Sequence, residues 1–485
     1  MMTFIRPVLF LLAIPVGSMG AVQFSFALIS LFVYGEKPSG SFFIPGFILL
    51  IIAMIILFRA RHFDFSKVTP RSALLFATLS WIVMGVLGAV PIISVTHVTF
   101  TDGVFESISA LTTTGATILS GLDVMPKSFL MYRQFLQWLG GLGIVIFVVA
   151  VLPLLNVGGM KLLKAETPGP IKDEKLAPRV THSARYLWYV YVSATFLCAL
   201  GYFIAGMSPF DAIAHSLTTI STGGFSTHDA SIGYFNSRWV ELNADIFMLV
   251  GAIAFGLHFR FARTLRLNVY TRDEETRTFL LIVLVLSLIL FTILFDNNIH
   301  MHFFDDFSQS LFHVISFITS TGFAADNFTA WPVQTGLLLV FSGYLGGCAG
   351  STAGGNKIIR NILTIKIISL QLKRMLHPHG VFNVRYNGKN VDSSVLSATM
   401  VFMTIAATMT LILTLLLIAT GLDFWTSLTA VAACLNVLGP AFGELGSNFE
   451  PASDVATWIL SVTMILGRLE YFTVLVLFTT GFWRS

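Results

Sequence analysis

Hydrophobic runs follow one another along almost the whole sequence, and they set the class of fold that it can adopt. A run of about 20 residues crosses a bilayer as a helix, and we count about ten such runs. Of the 485 residues, 55% are hydrophobic and only 11% are charged, whereas roughly 25% are charged in a typical soluble protein. The chain is therefore predicted to be an all-α polytopic membrane protein.

The predicted helices form one hairpin and four pairs. The first two runs, near residues 6–33 and 41–59, make an N-terminal two-helix hairpin. Between the members of each pair lies an apolar run of only about 10–15 residues, which is too short to cross a bilayer and is typical of a re-entrant half-helix. The pairs are predicted near residues 72–96 and 130–154, 184–206 and 239–262, 278–296 and 333–370, and 394–420 and 455–480.

This pattern divides the chain into five parts. Four copies of one helix–pore-helix–helix unit indicate four repeats with pseudo-fourfold symmetry around one pore. The predicted parts are the N-terminal transmembrane hairpin 1–70, pore repeat one 71–160, a basic cytosolic loop with pore repeat two 161–264, pore repeat three with an intramembrane Gly-rich loop 265–390, and pore repeat four 391–485.

A short segment follows each half-helix, and most of these segments are rich in Thr, Ser and Gly. Irregular backbone at membrane depth is tolerated only where it is buried in protein or lines a water-filled cavity. Because Gly lets the chain turn its carbonyls to one side, four such segments would replace the hydration shell of a monovalent cation. The alternative is that these small residues only allow close helix packing. The candidate filter residues are Thr113, Thr114, Gly115, Ser221, Thr222, Gly223, Ser320, Thr321, Gly322, Val437, Leu438 and Gly439.

A Gly-rich stretch at residues 343–357 interrupts the second helix of repeat three. Each Gly costs about 1 kcal/mol relative to Ala inside a helix, so a continuous helix is not expected here. The stretch ends in Lys357, but its spacing matches neither the phosphate-loop nor the dinucleotide pattern. One interpretation is a flexible kink that packs against neighbouring helices.

Arg468 is the only basic residue that we expect well inside a span. An Arg at the centre of a membrane helix costs about 2.5–3.5 kcal/mol, so it normally faces an interior cavity and a partner. Glu470 lies two positions further on and on a different face of the helix. Carbonyls of the Gly-rich stretch are therefore the predicted partners, and a salt bridge to another helix is the alternative.

The distribution of charge predicts the orientation in the membrane. Most of the 29 Lys and Arg residues fall in loops on one side, which the positive-inside rule makes cytoplasmic. Both termini are then cytoplasmic, and the four polar segments are entered from outside. The opposite loops are acidic and would raise the local cation concentration. The alternative is that these acidic residues are simply polar groups of the loops. The three cysteines lie in apolar runs and suggest neither disulfides nor a zinc site.

The sequence resembles the Trk/Ktr/HKT superfamily of potassium transporters and, within it, the bacterial Trk-type pore subunits (TrkH/TrkG). The resemblance spans the whole chain and is most specific at residues 105–117, 132–141, 153–170, 221–230 and 343–357. It implies potassium uptake across the bacterial inner membrane, with potassium as the substrate and no bound cofactor. The resemblance implies neither an enzyme nor a nucleic-acid-binding protein.

In that family each filter segment supplies one key Gly. Members with Ser in the first segment tend to admit sodium, whereas Gly in all four segments resembles the potassium-selective members. This chain departs from strict fourfold repetition, because Phe323 follows the third Gly and Leu438 precedes the fourth. The family glycines correspond to Gly115, Gly223, Gly322 and Gly439.

The resemblance also implies a gate below the filter, where the Gly-rich loop obstructs the pore and Arg468 acts as an electrostatic barrier. It implies a homodimer with one pore per subunit and a cytosolic nucleotide-binding regulatory subunit of the TrkA type. Membrane lipids are further expected partners, since the cytoplasmic loops are basic. The candidate gate residues are Gly346, Gly347, Gly350, Gly354, Gly355, Lys357 and Arg468.

Two other functions stay open at this point. The potassium-binding subunit of an ATP-driven pump has related repeats, although the N-terminal hairpin and the basic segment 161–185 argue against it. A polytopic membrane enzyme would need converging titratable groups inside the bundle, and only Arg468, Glu470 and a few His residues are available.

Overall fold

The chain is almost entirely helical, as predicted. The structure is a computed structural model that describes residues 2–37, 39–61, 69–150, 176–300 and 302–483. The motif 153–170, the boundary between repeats one and two, and residues 161–175 of the predicted basic loop lie outside the described residues. Within the described residues, the strands are β1 (Arg385–Tyr386) and β2 (Lys389–Asn390), which pair antiparallel.

The helices follow the order of the predicted repeats. They are α1 Met2–Leu11, α2 Ala13–Ile29, α3 Ser39–Ala60, α4 Pro70–Thr96, α5 Phe100–Thr112, α6 Lys127–Ala150, α7 Leu176–Ile204, α8 Pro209–Ile220, α9 Arg238–Ala252, α10 Phe255–Thr264, α11 Asn268–Thr271, α12 Glu274–Asp296, α13 Phe303–Ile318, α14 Val333–Leu345, α15 Ile358–Leu376, α16 Ser393–Ile418, α17 Phe424–Leu435, α18 Asp454–Arg468, α19 Glu470–Leu475 and α20 Thr480–Trp483.

Several of the ten predicted spans are broken in the structure. Among the described residues, 6 helices are long and apolar enough to cross a membrane, or up to 8 if each bent pair is one span. The helices α9 and α10 meet at 101°, and a bend of 109° follows α18. The predicted span 333–370 is divided into α14 and α15 by the Gly-rich loop. The break at the Gly-rich loop was expected from the sequence. Hydropathy alone does not reveal the bend between α9 and α10, because residues 252–255 are all apolar.

Four short helices, α5, α8, α13 and α17, occupy the positions predicted for the half-helices. Side chains at the N-caps of three of them accept hydrogen bonds from the first turn: Thr99, Ser208 and Asp423. The third half-helix, α13, has no side-chain cap but carries two Asp residues in its first turn. Such residues satisfy free N–H groups and interact favourably with the helix dipole, and each of the four helices has an Asp at its N-cap or in its first turn.

The N-terminal hairpin packs tightly and docks on repeat one. A Cβ placed on Gly46 of α3 would lie 2.7 Å from the backbone nitrogen of Phe24, so the contact depends on the absence of a side chain. Gln23 is fully buried and donates a hydrogen bond to the Leu87 carbonyl of α4 at 2.9 Å. The hairpin is thereby attached to the outer surface of the first repeat.

Candidate ion-conduction site

The four half-helices end in the same backbone conformation. A residue with positive φ closes each of them, with φ values of 52° to 58° at Thr113, Thr222, Ser320 and Val437. The N–H of the next residue donates to the carbonyl five positions earlier, at 2.7 to 2.9 Å, as in a Schellman motif. A Gly with positive φ follows in every case. The left-handed conformation is a strained one for a β-branched residue such as Val437.

This geometry corrects the predicted register of the second filter segment. The positive-φ glycines are Gly115, Gly224, Gly322 and Gly439, so Gly224 and not Gly223 is the structural counterpart in repeat two. Ser221, which was predicted to open this segment, is still in a right-handed helical conformation. The sequence contains two successive glycines here, and a Thr-Gly match selects the first of them.

The distance from the N-cap of each half-helix supports the corrected register. Thr99, Ser208 and Asp423 each precede the positive-φ Gly by 16 residues. In repeat three the N-cap is His302, which precedes Gly322 by 20 residues. The third half-helix is therefore one turn longer, and Asp306, which precedes Gly322 by 16 residues, lies inside it.

The four segments form a closed ring. A Cβ placed on Gly115 would lie 2.1 Å from the Gly223 carbonyl oxygen of the next segment. The same test gives 1.9 Å from Gly224 to the Thr321 oxygen and 2.2 Å from Gly322 to the Leu438 oxygen. It gives 2.6 Å from Gly439 back to the Thr114 oxygen, which closes the ring.

Each ring glycine thus faces the middle carbonyl of the neighbouring segment. The triplets 113–115, 222–224, 320–322 and 437–439 therefore surround one axis.

A buried ion pair that was not predicted from the sequence supports the first segment. Arg133 of α6 and Glu106 of α5 are both almost fully buried and form a salt bridge. Glu106 also accepts hydrogen bonds from the Thr117 hydroxyl at 2.9 Å and from the Ile118 N–H at 3.0 Å. Arg468 is therefore not the only buried basic residue within the predicted spans. The signal was present in the sequence, since Arg133 falls within the predicted span 130–154.

The position of Glu106 has a counterpart in every repeat. Nine residues before the ring glycine stand Glu106, His215, His313 and Ala430. His215 contacts the Ser226 hydroxyl at 2.9 Å, so it supports the second segment from behind as Glu106 supports the first. The residue nine positions before the ring glycine is therefore polar in repeats one and two and apolar in repeat four.

The Gly-rich loop lies directly below the ring. The Gly354 N–H donates to the Ser320 hydroxyl at 2.5 Å, and the Gly355 N–H donates to the Asn436 carbonyl at 3.1 Å. The Thr352 hydroxyl donates to the Ile220 carbonyl at the end of α8, at 2.9 Å. The loop from repeat three therefore touches the ends of half-helices two, three and four.

Arg468 connects this loop to repeat one. Its guanidinium donates to the Thr352 carbonyl at 3.2 Å and to the Gly140 carbonyl of α6 at 3.0 Å. The loop carbonyl is the kind of partner that the sequence predicted. Glu470 pairs instead with Arg360 at 2.9 Å, and none of the ion pairs formed by the described residues includes Arg468. All four repeats thus meet at the loop.

Two further side chains hold the end of the loop that leads into α15. Lys357, at the end of the loop, donates a hydrogen bond to the Ala353 carbonyl. Glu275, at the start of α12, accepts hydrogen bonds from the N–H groups of Ala349 at 2.8 Å and Ile359 at 3.0 Å. Glu275 was not singled out from the sequence, because its partners lie more than 70 positions away.

The acidic outer loops have structural roles. Asp102 and Asp211 accept hydrogen bonds from the N-cap hydroxyls of their half-helices. His300 contacts Asp306 at 2.7 Å and Asp326 at 3.1 Å. Burial lowers the pKa of the His300 imidazole, but the two aspartates outweigh it and raise the pKa above its ordinary value. The simpler reading of these acidic residues, as structural groups in polar loops, is favoured here over cation attraction.

Fold and site together define a class: a polytopic membrane protein in which four repeats place re-entrant half-helices around one axis. The model of the TrkH family, described as cation transport protein, matches residues 38–483. The chain therefore belongs to the TrkH family of cation transport proteins, and it is a transporter and not an enzyme. The family resemblance seen in the sequence is confirmed.

Curated relatives and a solved structure agree with this assignment. The chain is 43% identical over 463 residues to the Trk system potassium uptake protein TrkH of Vibrio parahaemolyticus, covering 95% of each chain. It is 39% identical over 422 residues to TrkG of Escherichia coli, covering 86% of this chain and 87% of that one. The crystal structure of the potassium transporter TrkH from Vibrio parahaemolyticus superimposes with a TM-score of 0.91 at 39% identity, over 99% of this chain and 100% of that chain.

Proposed function

We propose that this chain takes up potassium across the bacterial inner membrane, with the four-segment ring as its selectivity filter. The observation that carries the proposal is the closure of the ring, in which each positive-φ Gly faces a carbonyl of the next segment. Carbonyl oxygens arranged in this way replace the hydration shell of a dehydrated cation. The relatives named potassium uptake proteins support potassium as that cation.

The half-helices add an electrostatic contribution. Their C-terminal ends, which carry the partial negative charge of the helix dipole, lead directly into the ring. Hydroxyl groups of Thr113, Thr222 and Ser320 would supply further oxygen ligands at the inner end of the filter. Repeat four contributes no hydroxyl there, because Val437 and Leu438 replace the Thr and Ser residues.

The Gly-rich loop and Arg468 form the proposed gate. The loop lies across the inner end of the filter, and Arg468 brings a positive charge beside it. A cation that leaves the filter would meet both the loop backbone and this charge. Opening then requires the contacts at Thr352, Gly354 and Gly355 to break or move.

Control and assembly are proposed on the basis of the family resemblance. A cytosolic nucleotide-binding subunit of the TrkA type would act on the cytoplasmic side, where α15 ends in Lys373 and Arg374. The chain would form a homodimer with one pore per subunit and both termini in the cytoplasm. Its functional parts would be the five predicted from the sequence, 1–70, 71–160, 161–264, 265–390 and 391–485.

Potassium flux into liposomes tests the proposal. Vesicles that contain the purified chain alone are expected to take up potassium or rubidium down its gradient, faster than protein-free vesicles. The measurement is repeated with and without a sodium gradient to detect coupling. Uptake that requires ATP and an added ATPase chain would contradict the proposal and favour the pump subunit.

A further inference from the structure

The second filter segment differs from the other three at its middle position. Thr114, Thr321 and Leu438 occupy that position in repeats one, three and four, whereas repeat two has Gly223. Because Gly224 follows, this segment contains two successive glycines. Glycine has the greatest backbone freedom of any residue, so this part of the ring needs support from elsewhere.

Gln137 of α6 fills the space that a side chain at Gly223 would occupy. A Cβ placed on Gly223 would lie 2.5 Å from Gln137 Oε1 and 2.6 Å from its Cδ. Gln137 is fully buried. The two residues are 86 positions apart in the sequence, and they belong to different repeats.

The Gln137 carboxamide also binds the backbone on both sides of Gly224. Its Nε2 donates to the Gly223 carbonyl at 2.7 Å, and its Oε1 accepts from the Phe225 N–H at 3.1 Å. Among the hydrogen bonds of the described residues, no other middle carbonyl of the ring accepts one. The segment with the most backbone freedom is therefore the one that is held from outside.

We propose that Gln137 is a positioning residue that determines ion specificity at the filter. It keeps the Gly223 carbonyl in the ring by preventing rotation of the peptides around Gly224. This inference rests on the proposed potassium filter and identifies which group outside the filter maintains it. Without the carboxamide the Gly223 oxygen, which lies in the segment with two successive glycines, would be more mobile than the other three. A filter that selects through the number and field strength of its coordinating carbonyl dipoles would then discriminate less between potassium and sodium.

The first test replaces Gln137 by Met, which has similar length and no amide. Reversal potentials of proteoliposomes in potassium and sodium give the permeability ratio, and flux against potassium concentration gives KM and Vmax. Loss of two buried hydrogen bonds is expected to lower the potassium-to-sodium ratio about tenfold. The matched control is Gln134→Met, because Gln134 lies on the same helix, is equally buried and makes no side-chain hydrogen bond within the described residues.

A second variant reaches the same contact from the other side. Gly223 has no positive φ, so Gly223→Ala fits the backbone but displaces the Gln137 amide. Its permeability ratio is expected to fall as in Gln137→Met. The double variant Gly223→Ala/Gln137→Ala is expected to be no worse than either single change, because the interaction can be lost only once. If Gln137→Met does not fold, Gly223→Ala and the double variant still test the role of Gln137.

The outcomes separate the inference from the proposed function. A wild-type chain without potassium selectivity contradicts the filter itself. A selective wild-type chain with an unchanged ratio in Gln137→Met and Gly223→Ala overturns the role of Gln137. An equal loss in Gln134→Met, or additive losses in the double variant, would likewise overturn it, since either result assigns the effect to general packing of α6.

Discussion

At the scale of single residues, the backbone conformation of one glycine distinguishes it from the glycine beside it. We expect Gly224→Ala to abolish potassium flux, because a left-handed conformation costs about 1–2 kcal/mol for an L-residue and the new Cβ would lie 1.9 Å from the Thr321 oxygen. Gly223→Ala is expected to retain measurable flux with reduced selectivity. Rubidium uptake by cells that lack other potassium transporters would compare the two.

The comparison also decides the register of the filter. If Gly223→Ala is inactive and Gly224→Ala is active, the sequence-based register is right and the assignment of Gly224 to the ring is wrong. Protein amounts in the membrane must be equal for the two variants, since both changes lie in the same buried segment.

The ion pair behind the first filter segment leads to a prediction about stability. Arg133→Met leaves Glu106 buried without its partner, and removing one member of a buried pair typically costs about 3–5 kcal/mol. We expect a clear fall in the melting temperature of the purified protein, measured in detergent by intrinsic fluorescence.

The matched control for this prediction is Arg238→Met. Arg238 pairs with Asp305 at the surface, with side-chain exposures of 66% and 33%, and such exposed pairs contribute at most about 1 kcal/mol. An unchanged melting temperature in Arg133→Met, or an equal fall in Arg238→Met, would contradict the importance given to the buried pair.

At the scale of structural elements, the Gly-rich loop is held by contacts from several helices, and Arg468 links it to α6 through hydrogen bonds to Thr352 of the loop and Gly140 of α6. We expect Arg468→Ala to raise cation flux through the chain alone, because it removes both the charge below the filter and the link between Thr352 and Gly140. Flux in reconstituted vesicles measures the effect.

Arg468→Lys is the control for charge. It retains the positive charge, whereas its single amino group cannot reproduce the planar fork of a guanidinium. Flux in this variant should lie between those of the wild type and Arg468→Ala. Unchanged flux and gating in Arg468→Ala would show that Arg468 has only a structural role.

At the scale of the whole molecule, the distribution of basic residues predicts the orientation in the membrane. The native cysteines Cys198, Cys348 and Cys434 are buried, so a single introduced cysteine reports on its own position. Val124 and Val381 are 89% and 91% exposed and lie on opposite sides of the predicted topology.

A membrane-impermeant maleimide applied to intact cells is expected to label Val124→Cys. Val381→Cys should react only after the cells are permeabilised. The reverse pattern would contradict the prediction that both termini are cytoplasmic and that the filter is entered from outside.

Local signals in the sequence were sufficient for much of this architecture. Long apolar runs, short half-helices that begin near an Asp, and Thr-Gly ends depend on neighbours within a few positions. They located the half-helices α5, α8, α13 and α17 and the ring glycines Gly115 and Gly322, whereas Gly439 follows Leu438 and was assigned as a key glycine through the family resemblance. The insertion cost of a charge likewise indicated that Arg468 would have carbonyl partners in the Gly-rich loop.

The sequence by itself thus determined the class of fold, the repeated unit and the approximate position of the ring segments, because hydropathy and helix capping are short-range properties. Only the tertiary structure decided that Gly224 belongs to the ring, that Gln137 fills the space beside Gly223, and that Glu106 pairs with Arg133. These contacts join residues of different helices, and they exist only once four repeats have packed around a common axis. No local pattern specifies which side chain will occupy the space that a glycine leaves.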